Sequence, residues 1–357
     1  MPAGFPSPIV IPDGLPASPK TRTRVAAFLR THSIATLLLA AVLGLSALAA
    51  LTALLTWWAS GPRSANFVEY RMTVPTDIPT AVAAAPDGAV WFSIDFSDAV
   101  GVVRNGKMDR IVKGSRSVEP IGIAVDTAGR TWITNAATVS IVSVTAAGEE
   151  RSVKLGTPIA RLGRMAAAPD GSVWFAEGTA YSITRLRDGE LVRHPIESAR
   201  GGPYGVAVAP DGAIWATLQS ANSLLRIAPD GSMTEHEIPS PGVSPTDIAV
   251  DANGSVWFLE FRADRIGRFQ AGKFEEFTVT PEKAGLTGLA VTPEGAVWFG
   301  LLRKGSIGRL KDGKIVEFRL PRADARPYSL TTDREGNVWY ADISGYVGML
   351  PAVEARR

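Results

Sequence analysis

Residues 203–239, PYGVAVAPDGAIWATLQSANSLLRIAPDGSMTEHEIP, contain four short apolar stretches separated by turn signals. The first, Gly205 to Ala209, has no polar residue, which marks a strand covered on both faces. Its side chains are small, as strands crowding round an axis require. Pro210-Asp211-Gly212 follows as a hairpin turn, because Asp-Gly tolerates positive φ. The second stretch, Ala213 to Leu218, holds a tryptophan, and the third runs from Ser223 to Ile227. Asp230-Gly231 turns the chain into a fourth, Met233 to Ile238. Fourth stretches alternate apolar and charged residues, most clearly in Ile315-Val316-Glu317-Phe318-Arg319-Leu320, as half-exposed outer strands do.

This unit recurs. Trp91, Trp132, Trp174, Trp215, Trp257, Trp298 and Trp339 stand 41 or 42 residues apart, each in a variant of one phrase such as APDGAVWF, DANGSVWF or DREGNVWY. Seven copies of a four-stranded antiparallel unit predict an all-β, seven-bladed β-propeller. The last copy ends at Gly348-Met349-Leu350 without a fourth strand. The segment Asn66-Phe67-Val68-Glu69-Tyr70-Arg71-Met72, ahead of the first copy, matches the fourth-strand phrase Val316 to Leu320. It is expected to complete the last blade, so that the propeller spans residues 66–350 and no sheet edge stays open. The tryptophans read as one packing residue per blade. The Asp-Gly pairs read as hairpin turns, since the alternating Asp spacing of a calcium loop is absent.

The first 60 residues break the pattern. Residues 1–32 form a proline-rich and then basic tail, with Lys20, Arg22, Arg24 and Arg30. Residues 33–59 contain no charged residue and end on Trp57-Trp58-Ala59. At about 1.5 Å per helical residue such a run exceeds a hydrocarbon core of roughly 30 Å. The basic flank lies on its N-terminal side, which predicts one transmembrane helix with a cytoplasmic tail and a periplasmic or extracellular propeller. The competing reading is a cleaved signal peptide ending near Ala47-Leu48-Ala49, but the apolar run is longer than such a segment needs. The net charge is +2, and basic residues are scattered without interleaved aromatics, so nucleic acid is not an expected partner. The absence of cysteine removes disulfides, thiolate metal sites and a Cys nucleophile.

The copies VWFLEFRADRIGRFQAGKFEEFTV and VWFGLLRKGSIGRLKDGKIVEFRLP resemble the repeat of the virginiamycin B lyase (streptogramin lyase) family. The resemblance covers residues 66–350. It implies a propeller and, as activity, magnesium-aided elimination that opens the lactone ring of streptogramin B antibiotics. The family's chemistry uses histidines at the first strands of the last two blades, an acidic residue before the second of them, and a glutamate after the last tryptophan. Those positions hold Thr287, Tyr328, Arg326 and Ile343, with Asp342 adjacent to the last. The resemblance thus implies the fold, whereas the family's base, its partner and its acid are all replaced.

Aligning the copies on the first turn glycine identifies one mouth of the ring. At the entry to each inner strand stand Thr80, Ile121, Gly163, Tyr204, Thr246, Thr287 and Tyr328. Three residues past each tryptophan stand Ile94, Asn135, Glu177, Leu218, Glu260, Leu301 and Asp342, at the same end of the blades. Asp95, Arg262, Arg303 and Arg326 fall in adjoining loops. Ligand-binding candidates are therefore Asp95, Glu177, Tyr204, Thr246, Glu260, Arg262, Arg303 and Tyr328. Two function classes stay open: a small molecule or protein partner held at the mouth, or an enzyme, either a divergent lyase or a lactonase with a metal on Glu177, Glu260 and Asp342. Magnesium enters only under the enzymatic reading. His194 and His236 read as exposed outer-strand residues away from the mouth, and His32 precedes the apolar run.

An uncleaved anchor has a direct consequence. The mature protein isolated from membranes is expected to keep residues 33–59, and N-terminal mass spectrometry finding a start near residue 50 or 60 would contradict it.

Overall fold

The computed structural model describes residues 42–46, 48, 62–157, 161–197, 201–279 and 283–357. The chain divides into two units, Met1–Gly61 and Pro62–Arg357. In the first, residues 42–46 and 48 are helical. The tail and most of the expected anchor lie outside the described residues, and among those described no helix is long and apolar enough to cross a membrane.

The second unit consists of seven four-stranded antiparallel sheets. Blades 1 to 6 each use four consecutive strands, spanning residues 78–112, 123–154, 162–195, 203–237, 245–278 and 286–319. Blade 7 combines Pro327–Thr332, Val338–Asp342 and Tyr346–Leu350 with the N-terminal strand Val68–Arg71. That strand pairs antiparallel, Val68 opposite Met349 and Arg71 opposite Tyr346, as its sequence match to the fourth-strand phrase predicts. The ring is closed at the axis too, where the Val82 amide of blade 1 donates to Ser329 Oγ of blade 7 at 3.4 Å.

The seam is polar at its centre and aromatic at its sides. Glu69 of the closing strand accepts the Tyr340 hydroxyl at 2.9 Å and Arg322 Nε at 3.1 Å. Phe67 meets the Tyr340 ring edge-on at 6.1 Å, and Tyr70 stacks on Trp339 at 6.2 Å. Just upstream, Arg63 bridges to Phe318, its amide donating to the Glu317 carbonyl at 2.7 Å. The entering chain therefore ties blade 6 to blade 7 before it joins the sheet.

Each repeat phrase has a packing reason. The tryptophans are buried between neighbouring blades: Trp174 of blade 3 packs with Ile214, Ala216 and Leu218 of blade 4. Where the turn begins Asp-x-x-Gly, its aspartate accepts the indole N–H, as Asp126 does from Trp132 at 2.8 Å and Asp333 from Trp339 at 2.8 Å. Where the turn is Pro-Asp-Gly, the aspartate instead accepts a turn amide, as Asp87 does from Ala89 at 3.0 Å. The glycine of Ile-Gly-Arg has its own cause. In blade 6 the buried Phe299 ring lies against Gly308, well inside the space a Cβ would fill, and Phe258 lies on Gly267 in blade 5 in the same way.

The histidines depart from the sequence reading. His194 and His236 do lie on fourth strands, but they are half-buried. Each stacks on the tryptophan of its own blade, at 5.2 Å from Trp174 and 5.5 Å from Trp215. An outer strand still covers the edge of the inter-blade core, and an imidazole there packs as a flat apolar ring.

Gly308→Ala is expected to cost about 1–3 kcal/mol through overpacking. Adding Phe299→Leu, which shortens the opposing side chain, is expected to make the pair less destabilising than the sum of the single changes, as read by urea unfolding.

Candidate functional site

The inner strands bring their entry residues to one end of the ring. There Thr80, Ile121, Gly163, Tyr204 and Tyr328 line a cavity of about 1160 Å³, together with Asp95, Glu119, Arg161, Thr179, Tyr181, Gln219 and Ser220. The cavity is off-axis, walled by blades 7, 1, 2, 3 and 4. Thr246 and Thr287, the corresponding residues of blades 5 and 6, do not line it. Hydroxyls at this level staple neighbouring blades. Thr287 Oγ1 donates to the Pro327 carbonyl at 2.7 Å, Ser93 Oγ to Pro120 at 2.7 Å, and Thr217 Oγ1 to Thr246.

Asp95 ends the second strand of blade 1 and lies at the cavity wall. Its Oδ1 accepts the amides of Phe96 and Glu119, both at 2.9 Å, so it also fixes the loop that delivers Glu119. Phe96 is exposed, with φ 54°, and Arg116 Nε donates to its carbonyl at 2.8 Å. Tyr181 is exposed on the blade 3 side. Arg262, Arg303 and Arg326 are exposed in the loops of blades 5, 6 and 7 and do not line the cavity.

The second set of sequence-predicted residues behaves differently. Glu177, Glu260 and Asp342 are each 0% exposed, and so sit inside their blades rather than at the mouth. Each is taken up by an arginine of its own blade or the loop entering it. Glu177 pairs with Arg193 at 3.0 Å, Glu260 with Arg265 at 2.8 Å, and Asp342 with Arg322 at 2.8 Å. They do not pair with Arg262 or Arg303 and do not meet at one point. Among the described residues, no three Asp, Glu or His side chains are grouped to hold a metal ion. The remaining members of the set, Ile94, Asn135, Leu218 and Leu301, are buried as well. In a propeller both faces of a second strand are covered by adjacent blades, so reaching the mouth end does not turn a side chain into the mouth.

The residues at the family-matched positions do not fit a magnesium ion. A hard cation needs several free oxygen ligands. Asp342 instead accepts from Arg322 Nη2, the Arg326 amide and Ser344, and Thr287 is spent on Pro327. Arg326 adds a positive charge where the family has an acid.

Below the cavity is a cluster that the sequence reading passed over. Arg164 and Asp247 follow Gly163 and Thr246 on the inner strands of blades 3 and 5, and both line a second cavity of about 290 Å³ round the axis. Arg164 Nη2 lies 3.4 Å from Asp247 Oδ2, and its Nη1 donates to the Ile121 carbonyl at 2.8 Å. Burial works against its charge, but Asp247, Tyr204 and Tyr328 together outweigh burial and hold the guanidinium above its ordinary value. Tyr204 lines the mouth cavity and lies within electrostatic reach of Arg164. Burial pushes its phenol up to about 12, with Arg164 opposing and the neighbouring Tyr328 and Asp247 adding to the shift. A signal for the cluster was present. At the matching position the seven blades hold Ala81, Gly122, Arg164, Gly205, Asp247, Gly288 and Ser329, five small residues and one charge of each sign.

The model of the virginiamycin B lyase family matches residues 107–353, most of the ring. The chain belongs to that family. It is 30% identical over 153 residues to the virginiamycin B lyase of Nocardia farcinica (strain IFM 10152). That match takes in 43% of this chain and 52% of the relative, so the chain spans about half the length of the curated relative it matches. Solved virginiamycin B lyase structures share the fold. A catalytically inactive variant from Staphylococcus aureus with quinupristin superposes with a TM-score of 0.75 at 23% identity, covering 80% of this chain and 99% of its own. A streptogramin B lyase structure gives 0.75 at 22% identity, over 80% and 96%.

Glu260 supplies a pH test. Burial first, with Arg265 opposing and the Glu276 carboxylate adding, pushes its carboxyl up to about 7. The folded ring holds this proton more tightly than the unfolded chain does, so the contribution to stability is full below the ordinary carboxyl value and is lost as pH rises through about 7. Glu260→Gln, permanently neutral, is therefore expected to gain in melting temperature relative to the parent between about pH 5 and pH 8, as measured by thermal unfolding.

Proposed function

We propose that this member of the virginiamycin B lyase family is a small-molecule-binding propeller that no longer performs the family reaction, held at a membrane by residues 33–59 with the ring outside the cytoplasm. The observation that carries the reading is the contrast between the cavity and the matched positions. The cavity is large enough for a drug-sized ligand and is lined by Tyr181, Tyr204, Tyr328, Thr80 and Gln219, a mixture of flat apolar surface and hydrogen-bonding tips. The two histidine positions of the family hold Thr287 and Tyr328, and the carboxylate Asp342 is locked into an ion pair with Arg322. In the Staphylococcus aureus relative a histidine-to-alanine variant is catalytically inactive. Elimination needs a base placed on a carbon-bound proton, and these substitutions remove the imidazoles that would serve. The uncharged run at 33–59 and its basic flank support the anchor.

A second reading, a divergent lyase or lactonase, draws support from family membership and from Asp95 and Glu119, two carboxylates on the cavity wall. One assay separates the two. The purified full-length chain, with magnesium, is expected to leave quinupristin unopened by mass spectrometry. Turnover that disappears in Asp95→Asn or Glu119→Gln would replace the binding reading with the enzymatic one. Ser220→Trp, which fills the cavity from an exposed loop position, is expected to weaken any mouth ligand by about tenfold or more.

A further inference from the structure

The two ends of the ring carry surface charge differently. At the end away from the mouth, Arg104, Arg130, Arg187 and Arg226 each pair with the first-turn aspartate of their own blade. At the mouth end of blades 5 to 7 the arginines have no counter-charge. Arg262 and Arg303 sit in the turns after the second strands, and Arg326 in the loop entering blade 7. Arg319 and Arg71 end the outer strands of blades 6 and 7, opposite Ser306 and Tyr346. All five are exposed, and none has a carboxylate partner among the described residues. The exposed carboxylate of this sector, Asp324, is already held by Arg322 at 3.1 Å. Asp95 and Glu119, which have no cation partner, lie in the other sector on the cavity wall. The basic sector also exposes Phe261, 48% open to solvent beside Arg262. The chain reaches the ring in this same sector. Arg63 bridges to Phe318 of blade 6, its carbonyl accepting the Arg319 amide at 3.3 Å. In sequence only Ser60 and Gly61 separate the uncharged run from Pro62.

We propose that the mouth end of blades 5 to 7 docks on a lipid surface of anionic headgroups, with Phe261 entering the interface. The proposal rests on the membrane anchor of the reading above and adds the face of the ring that meets lipid. A cation held near an anionic bilayer favours contact roughly fivefold. Five unpaired arginines spread over three blades add such gains without breaking any ion pair of the ring. An exposed aromatic ring beside them gains by entering the headgroup boundary. An acidic protein would satisfy the same charges. A bilayer joined through two residues, however, is met at an effective concentration that no free partner matches. Asp95 and Glu119 are repelled by the same headgroups, so contact is confined to blades 5 to 7 and the cavity stays open.

The chain has no cysteine, so a single introduced thiol reports one place. Phe261→Cys carrying an environment-sensitive fluorophore is read in the full chain on lipid nanodiscs, with Met233→Cys, at the far end of blade 4, as reference. The discs are pure phosphatidylcholine, or phosphatidylcholine and phosphatidylglycerol in equal parts. On the mixed discs acrylamide is expected to quench the Phe261→Cys label about threefold less than on the neutral discs, and the Met233→Cys label equally on both. Raised salt, or Arg262→Glu combined with Arg303→Glu, is expected to remove the difference. A Phe261→Cys label quenched equally on both discs, or protection unchanged in the double charge reversal, would overturn the docking. Protection on neutral discs by soluble polyglutamate, as strong as that on mixed discs, would overturn the lipid surface and give the face to an acidic protein. Retention of the chain in membranes at alkaline pH reports the anchor separately, so failure of the anchor is told apart from failure of the docked face.

Discussion

Everything at the mouth depends on the closing strand. An inner strand holds its entry residue at a fixed height and angle only because neighbouring blades press on it from both sides, and blades 7 and 1 have such neighbours only once the ring is shut. Four residues, Val68–Arg71, supply the missing edge of blade 7. Their hold is specific as well as apolar. Glu69 lies between the Tyr340 hydroxyl and Arg322, and Arg322 continues to Asp342 at 2.8 Å. One carboxylate is thereby coupled to the second strand, the incoming loop and the outer rim of the last blade. Burial pushes the Tyr340 phenol far above its ordinary range, so it stays a donor at any physiological pH.

The same wedge geometry explains where charge is tolerated. Second strands are covered on both faces, so a carboxylate there must bring its own cation, and blades 3, 5 and 7 do so with Arg193, Arg265 and Arg322. Inner strands face a narrow axis where only small side chains fit, and a charge there must find its opposite across the ring. Arg164 and Asp247, two blades apart, do this. The ion pairs inside the blades serve the scaffold, whereas the pair at the axis lies beneath an open cavity with a donor left over.

Much of the architecture was legible because the repeat writes each structural need seven times. The tryptophan phrase, the turn chemistry and the match of Asn66–Met72 to an outer strand each correspond to an observed contact. Strand limits follow closely too: the stretch expected at Ser223–Ile227 is a strand with those ends. The site was less legible. Counting three residues past each tryptophan located the correct end of the blade, since Glu260 is opposite Pro245 and Asp342 opposite Pro327. It could not tell which way the side chain turned, because a strand's two-residue period distinguishes core from solvent only when one face is wet. Arg164 and Asp247 carry no loop or turn signal and stand out only by side-chain size one residue deeper, against Ala81, Gly122, Gly205, Gly288 and Ser329. His194 and His236 differ from expectation because alternation in an outer strand marks its polar side without showing that this side still covers the edge of the inter-blade core.

The chain enters the ring at its latch. Arg63 touches blade 6, the next residues run along the outer rim, and Val68–Arg71 zip onto Tyr346–Leu350. A pull on the N-terminal end would therefore load the rim strand first and reach the axis only after that strand had peeled away. The residues by which the chain enters the ring and those at which its toroid would begin to come apart are the same few, so mechanical tension on that end would act on the mouth through loss of closure rather than through distortion of any one blade.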